Sequence, residues 1–209
     1  MARARTSLAP RAYLKDDDAP AKREILIAAL RLFVRDGLCE TSIRDIAEAT
    51  GYTNPALFKH FASKHELALH LFEHCYLALF AAVHEAVGSA EAFAPRHRAL
   101  IAAYLTALEA DRDAVLYVQD NLRHFWPSVS TRVRRSSIVM IVHDMLQDGR
   151  REGVVTDTLS IELLGVAYLG VLQQFGRAWY FGDFKGPAVQ HAEHLGRLLL
   201  RMTAIGGRS

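Results

Sequence analysis

Thr41-Ser42-Ile43-Arg44-Asp45-Ile46-Ala47-Glu48-Ala49-Thr50-Gly51-Tyr52-Thr53-Asn54-Pro55-Ala56-Leu57-Phe58-Lys59-His60-Phe61 is the stretch on which the fold turns. Ile43, Ile46 and Ala47 fall on one side of a short helix that Thr41 or Ser42 can cap and Gly51 ends. A second short helix opens after Thr53. Pro55 sits in its first turn, where a missing backbone N–H costs little, and Leu57, Phe58 and Phe61 give it an apolar side. Two short helices joined by a glycine-containing turn, Gly51-Tyr52-Thr53, make a helix-turn-helix signature. In such a unit the second helix lies in the DNA major groove and its first residues meet base edges. Here those are Thr53, Asn54, Pro55 and Ala56, small or polar as close approach requires, with Lys59, His60 and Lys64 following as donors. Thr53 also offers a hydroxyl beside a helix N-terminus, a phosphate site, although the same hydroxyl serves equally as an N-cap. The plainer reading makes Phe58 and Phe61 core and Lys59 solvated surface.

Working outward, Ile25, Ala29, Leu32 and Phe33 repeat at helical spacing up to Gly37. Downstream, Ser63-Lys64-His65-Glu66 reads as a capping box that opens a long helix with Leu67, Leu71, Cys75 and Leu79 on one stripe, ending near Gly88. Further helices are expected at about 95–112, 113–125, 129–152, 157–181 and 187–205, with boundaries good to about four residues. Pro95, Trp126-Pro127, Gly153 and the Gly182 to Pro187 stretch punctuate them. Sustained period-two alternation is missing, so the expected class is all-α. The expected organisation is a disordered basic arm over 1–18, a helix-turn-helix DNA-binding domain over 19–66, and a ligand-binding and dimerisation domain over 67–209.

Charge and cysteine content narrow the classes. Through Glu66 there are 11 Lys/Arg against 9 Asp/Glu, and beyond it 14 against 14, so the whole net charge of +2 lies in the N-terminal third. Arg3, Arg5, Arg11 and Lys15 precede any acid. These residues can track phosphates or a minor groove, or form a solvated tail; Asp16 to Asp18 intervene and favour the tail. Two cysteines, Cys39 and Cys75, are too few for a disulfide framework and fit a reduced, cytoplasmic setting. The basic start lacks a following apolar run, so a signal peptide is not expected. The longest unbroken apolar run, Leu163 to Leu172, falls short of the roughly 20 residues that span a bilayer, so no membrane association is expected.

The segment Thr41 to Thr53, then Ala56-Leu57-Phe58-Lys59-His60-Phe61, then Lys64-His65-Glu66-Leu67, closely resembles the DNA-binding domain of the TetR (tetracycline-repressor-like) family. Ala28-Ala29 and Leu32-Phe33 before Gly37 fit as well, so the resemblance covers about residues 21–70. It implies a protomer of about nine helices, the first three binding DNA, the fourth linking, and the remainder holding a small-molecule pocket and a dimer interface. By position it implies DNA contacts from Thr41 or Ser42, Thr53, Asn54, Pro55, Phe58, Lys59, His60 and Lys64. Phe58 departs from the family's common Tyr, whose hydroxyl usually reaches a phosphate. Asn54 stands where Lys or Arg is frequent, which lowers the charge but adds a group able to read adenine. His60 matches the family's usual His and is open to contact or packing.

From Asp157 to Gly182 only Asp157, Glu162 and Arg177 are charged before the terminal glycine. A helix apolar nearly all round must be buried nearly all round, which a second protomer would achieve, with Gly165, Gly170 and Gly176 allowing close approach. The last helix, with Val189, His191, His194, Leu195, Leu198 and Met202, is its natural partner, and the resemblance implies a homodimer through these last two helices. For a mainly hydrophobic effector the candidate contacts are Tyr104, Tyr117, Trp126, Met140, His143, Gln173 and Phe175, each of which also reads as ordinary core or surface. His70 and His74 are one helical turn apart, but Cys75 projects about 100° away from His74, so neither a metal nor any other cofactor is expected. P-loop, G-x-S-x-G, H-E-x-x-H and C-x-x-C patterns are missing, and no enzyme is expected. The resulting reading is a ligand-responsive repressor that binds a pseudo-palindromic stretch of double-stranded DNA as a dimer. The alternative is a helical small-molecule carrier or sensor not acting through DNA, which Phe58 and the modest charge favour.

Overall fold

Four glycines or serines at helix ends set most of the head, the N-terminal unit of three short-to-medium helices that carries the expected helix-turn-helix. The computed structural model describes residues 11–204. Helix α1, Pro20–Asp36, starts with its proline in the first turn and stops at Gly37, whose φ of 97° few side chains adopt. Helix α2, Ile43–Thr50, is opened by a full capping box: Ser42 Oγ accepts from the Asp45 N–H and the Asp45 carboxylate accepts from the Ser42 N–H at 2.7 Å. Gly51, left-handed at φ 75°, closes it. Helix α3 is shorter than its pattern suggests, Asn54–Phe58, because the chain turns at Lys59 and His60 before Phe61 re-enters the core. Helix α4, Lys64–Gly88, is capped by Ser63, while the Glu66 carboxylate reaches one residue further back, to the Ala62 N–H at 2.8 Å.

The all-α class holds among the described residues. Helices α5 (Phe93–Ala110), α6 (Arg112–Phe125), α7 (Thr131–Arg135), α8 (Ile138–Arg151), α9 (Ile161–Phe181) and α10 (Ala192–Thr203) follow, with single 3-10 turns at Trp126–Ser128 and Ala188–His191. The segment expected as one helix over 129–152 is two, which gives ten α-helices among the described residues, in keeping with the expected nine or so. Ser136 hydroxyl donates back to the Arg132 carbonyl and Ser137 caps the next helix through the Met140 N–H, and these local bonds compete with helix continuation. The helix expected from 157 starts only at Ile161, because Thr156 and Thr158 bond each other and Ser160 supplies the cap.

Two hydrophobic clusters organise these helices. The lower one joins α1, α2 and α3 to the first half of α4 and to α6 and α7, through Leu26, Phe33, Ile46, Leu57, Leu71, Phe72, Tyr117 and Phe125. The upper one joins the second half of α4 to α5, α8, α9 and α10, through Val83, Leu105, Met145, Tyr168, Leu172 and Leu199. Helix α4 is long and apolar enough to cross a membrane by length and composition, yet nine of its residues are buried against these two clusters.

Residues 11–18 correct the expected extent of the disordered arm, whose residues 1–10 lie outside the described ones. They form two turns that bury Tyr13 in the lower cluster. The Arg11 guanidinium donates to the Tyr13 hydroxyl at 2.9 Å, Arg23 donates to the Lys15 carbonyl at 2.8 Å, and Lys22 pairs with Asp18 at 2.7 Å. An aromatic ring followed by close-range charge partners outweighs the chain entropy that composition alone suggested.

Three histidines are held neutral by burial. His97 sits between helices, its Nε2–H donating to the Gly196 carbonyl at 3.1 Å, which leaves Nδ1 to accept from the Tyr168 hydroxyl at 2.9 Å. Burial lowers its pKa. Burial and then the neighbouring His74 lower that of His70 to about 4, and burial lowers His74 as well, the two rings meeting edge-on at 4.0 Å. With folded values below an unfolded value of about 6.5, the unfolded chain binds more protons as pH falls, so their stability contribution is present above pH 6.5 and declines below it. Urea midpoints are therefore expected to drop between about pH 7.5 and 5.5, less steeply in a His70→Gln/His74→Gln variant. Midpoints flat across that window would contradict neutral burial.

Candidate nucleic-acid interface and effector cavity

The turn between α2 and α3 is fixed from both sides. Thr50 donates to the Ile46 carbonyl at 2.9 Å, and the Tyr52 hydroxyl donates to the Glu24 carboxylate on α1 at 2.8 Å. On this support Thr53, Asn54, Pro55, Phe58 and Lys59 are exposed and His60 is half-buried. The Thr53 hydroxyl makes no capping bond, so it remains free for another partner. Phe58, for which the sequence offers both contact and core, is 48% exposed: it lies one position past Leu57, which alone of the five α3 residues is buried. The structure therefore gathers five of the expected contact residues on one uncovered surface, with a sixth at its edge.

The other three expected contacts are committed elsewhere. Thr41 is 2% exposed and its hydroxyl donates to the Gly37 carbonyl at 2.9 Å. Ser42 is exposed, but its hydroxyl is engaged on both sides by Asp45, whose carboxyl is held below the usual range by the Ser42 backbone N–H. Lys64 turns inward: its ammonium donates to the carbonyls of Leu38 at 3.0 Å, Cys39 at 3.4 Å and Thr41 at 2.9 Å. Three acceptors around a three-proton ammonium satisfy it fully. Its work is to pin the first turn of α4 to the loop between α1 and α2, which position in the chain alone could not reveal.

Above the head, a cavity of about 450 Å³ lies between α4, α6, α8 and α9, lined among others by Tyr76, Arg123, Trp126, Ile138, Leu169 and Gln173. Ile138, Leu169 and Gln173 also line a smaller inner chamber of about 50 Å³, which Tyr104, Gln119 and Leu172 help close. Burial pushes the Tyr104 hydroxyl up to about 12. Three of the seven expected ligand residues, Tyr104, Trp126 and Gln173, thus meet at one place.

The remaining four do not. Tyr117 stacks on Phe33 in the lower cluster and donates to the Ala68 carbonyl at 2.9 Å. Met140 faces solvent, His143 packs over Gly165, and Phe175 packs on Phe184 and His191. Gln119 was missed, although it interrupts the apolar stripe that runs from Val115 and Leu122 on α6 to Trp126 just past its end, by the same criterion that singled out Gln173. A broader groove of about 580 Å³ between α4 and α5 is lined mostly by alanines, with Ala12 and Tyr13 at one end. Its polar lining groups, Ser89, Thr106 and Asp111 among them, are ones the sequence did not single out, whereas the cavity beside α6 brings in Trp126 and Gln173 from the expected set.

Residues 25–71 match the family described as bacterial regulatory proteins, tetR family. The chain is 32% identical over 103 residues to the transcriptional repressor KstR2 of Rhodococcus jostii, covering 49% of this chain and 50% of that protein, so the match spans half the relative's length. It is 28% identical over 146 residues to KstR2 of Mycobacterium tuberculosis H37Rv, covering 68% of this chain and 72% of that one. The solved structure of the ketosteroid transcriptional regulator KstR2 of Mycobacterium tuberculosis superposes with a TM-score of 0.81 at 24% identity, covering 94% of this chain and all of that one. At that identity the superposition speaks for the fold.

Lys64→Ala is expected to cost about 1–3 kcal/mol of stability, read in urea, by stranding the part-buried carbonyls of Leu38 and Thr41. The salt slope of DNA binding is expected to stay unchanged; a slope lower by about one would place the ammonium on a phosphate instead.

Proposed function

This chain belongs to the TetR family of DNA-binding regulators, and from that premise we propose that it is a homodimeric repressor released from a pseudo-palindromic site by a mainly hydrophobic small molecule. The observation that carries the DNA part is the uncovered surface from Thr53 to Lys59, held by the capped helix before it and with the Thr53 hydroxyl free of any capping bond. On it Asn54 is the base reader, able to pair with adenine through two hydrogen bonds, and Phe58 offers an apolar ring of the kind that meets a thymine methyl. Lys59 supplies charge for the phosphates.

Pairing follows from apolar surface that one chain leaves open. On α9, Leu163 is 54% and Val166 70% exposed, and Gly170 and Gln174 continue the same stripe at helical spacing. Leu198 on α10 is exposed as well. Covering these residues with a second copy would bring two α9–α10 pairs together and set two reading heads about 35 Å apart, one turn of DNA.

An effector in the cavity beside α6 would press on α4 through Tyr76 and, deeper, Leu79 and Val83. Because Lys64 ties the start of α4 to the α1–α2 loop, a displacement of α4 carries the head with it. The ligand shifts DNA affinity only by its differential affinity for the two head spacings.

Selection of bound sequences from random DNA tests the reading head. Asn54→Ala is expected to lose about 1–3 kcal/mol of discrimination at one position of each half-site, whereas unchanged preference would remove Asn54 from base reading. Val166→Asp is expected to give monomers by sedimentation and to weaken binding to the selected site by at least about tenfold. A fully dimeric variant would move the interface away from α9.

A further inference from the structure

Gln119, a wall of the inner chamber, carries a polar atom that its surroundings do not satisfy. Gln119 Nε2 donates to the Tyr104 hydroxyl at 3.0 Å, and Gln119 Oε1 is buried with no hydrogen-bond partner. The chamber around it is aliphatic: Leu79, Val83, Leu100, Ile138, Leu169 and Leu172 bring no donor. Gln173, the remaining polar wall, lines both the chamber and the outer cavity but forms no bond to Gln119 among the described contacts. A buried amide oxygen without a donor is costly, so a group that supplies one gains binding free energy that a hydrocarbon cannot.

We propose that the effector carries a hydroxyl at its buried end and that Gln119, positioned by Tyr104, selects it over a hydrocarbon of the same shape. This rests on the cavity being the effector site. Both orientations of the amide lead to the same ligand class. With oxygen toward the chamber, the ligand O–H donates to Gln119 Oε1. With the amide reversed, Tyr104 donates to the oxygen and the amide N–H is left for the ligand oxygen to accept; a hydroxyl serves either way. A charged end is excluded at this depth, because among the described residues the chamber has no ionised lining group to pair with it. Such an end belongs at the outer mouth, beside Arg123.

Two probes of matched shape test this: 2-naphthol and 2-methylnaphthalene, which differ by a hydroxyl in place of a methyl. Binding of each is followed by its own fluorescence with the full-length dimer, in the wild type and in Gln119→Leu. The expected result is that the ratio of the methylnaphthalene Kd to the naphthol Kd falls by about tenfold or more in Gln119→Leu, as loss of one buried hydrogen bond implies, while methylnaphthalene still binds. Retained methylnaphthalene binding shows that the variant is folded. Tyr104→Phe, which frees the amide, is expected to lower the ratio by a smaller factor. A ratio that Gln119→Leu leaves within about twofold of wild type would overturn the proposal, as would failure of both probes to bind the wild type. DNA binding by the same wild-type preparation without probe reports separately on the regulator reading, which survives either of those failures.

Discussion

One helix has to satisfy two cores. The first half of α4 packs Leu67, Leu71 and Phe72 into the cluster that holds the reading head, and its second half packs Val83 and Val87 into the cluster that holds α5, α8, α9 and α10. A close-packed side chain cannot slide by a fraction of its width without losing contacts on both sides, so the helix moves as a rod or not at all. The Lys64 ammonium, closed around three carbonyls of the α1–α2 loop, makes the lower end of that rod continuous with the head. The ligand response proposed above would then need no long chain of intermediates: Tyr76 and Leu79, at the cavity, and Lys64, at the loop, stand on the same element.

Legibility in the sequence followed the range of the forces involved. Helix starts at Ser42 and Ser63 and helix stops at Gly37 and Gly51 depend on bonds within four residues, and those were readable. The apolar stripe of α9 was readable for the same reason, as a local period. Phe58 stayed open between contact and core, because whether a ring at the end of a five-residue helix points in or out depends on where the chain turns next. The internal bonds of Lys64 had no local trace for a similar reason: its partners at Leu38, Cys39 and Thr41 are more than twenty residues away.

The cavity was legible in part. Polar residues interrupting apolar stripes are a sound signal, and Gln173 and Gln119 both answer to it. Aromatic residues are a poor one: Tyr117 and Phe175 have the same local pattern as Tyr104, yet one supports the head and one packs beside α10. Which cluster a ring joins is settled by the crossing of α6 over α4, a tertiary fact without a local trace. The break at Ser136-Ser137 is instructive in the other direction, since two adjacent serines within an otherwise helical pattern did carry the information that α7 and α8 are separate.

The short turn region before α1 has a practical bearing on how the chain tolerates shortening. Tyr13 is buried in the lower cluster with Arg11 on its hydroxyl, and the turns that follow it are tied to α1 by Arg23 on the Lys15 carbonyl and Lys22 on Asp18. Trimming the chain back to the start of the first regular helix, as segment boundaries drawn from periodicity would invite, leaves a void the size of an aromatic ring, a defect of about 3–5 kcal/mol where well-packed sites are concerned. Against a typical total of about 5–15 kcal/mol, that is enough to turn a sound fold into a marginal one. Eight residues that look like leader are thus part of the wall of the building.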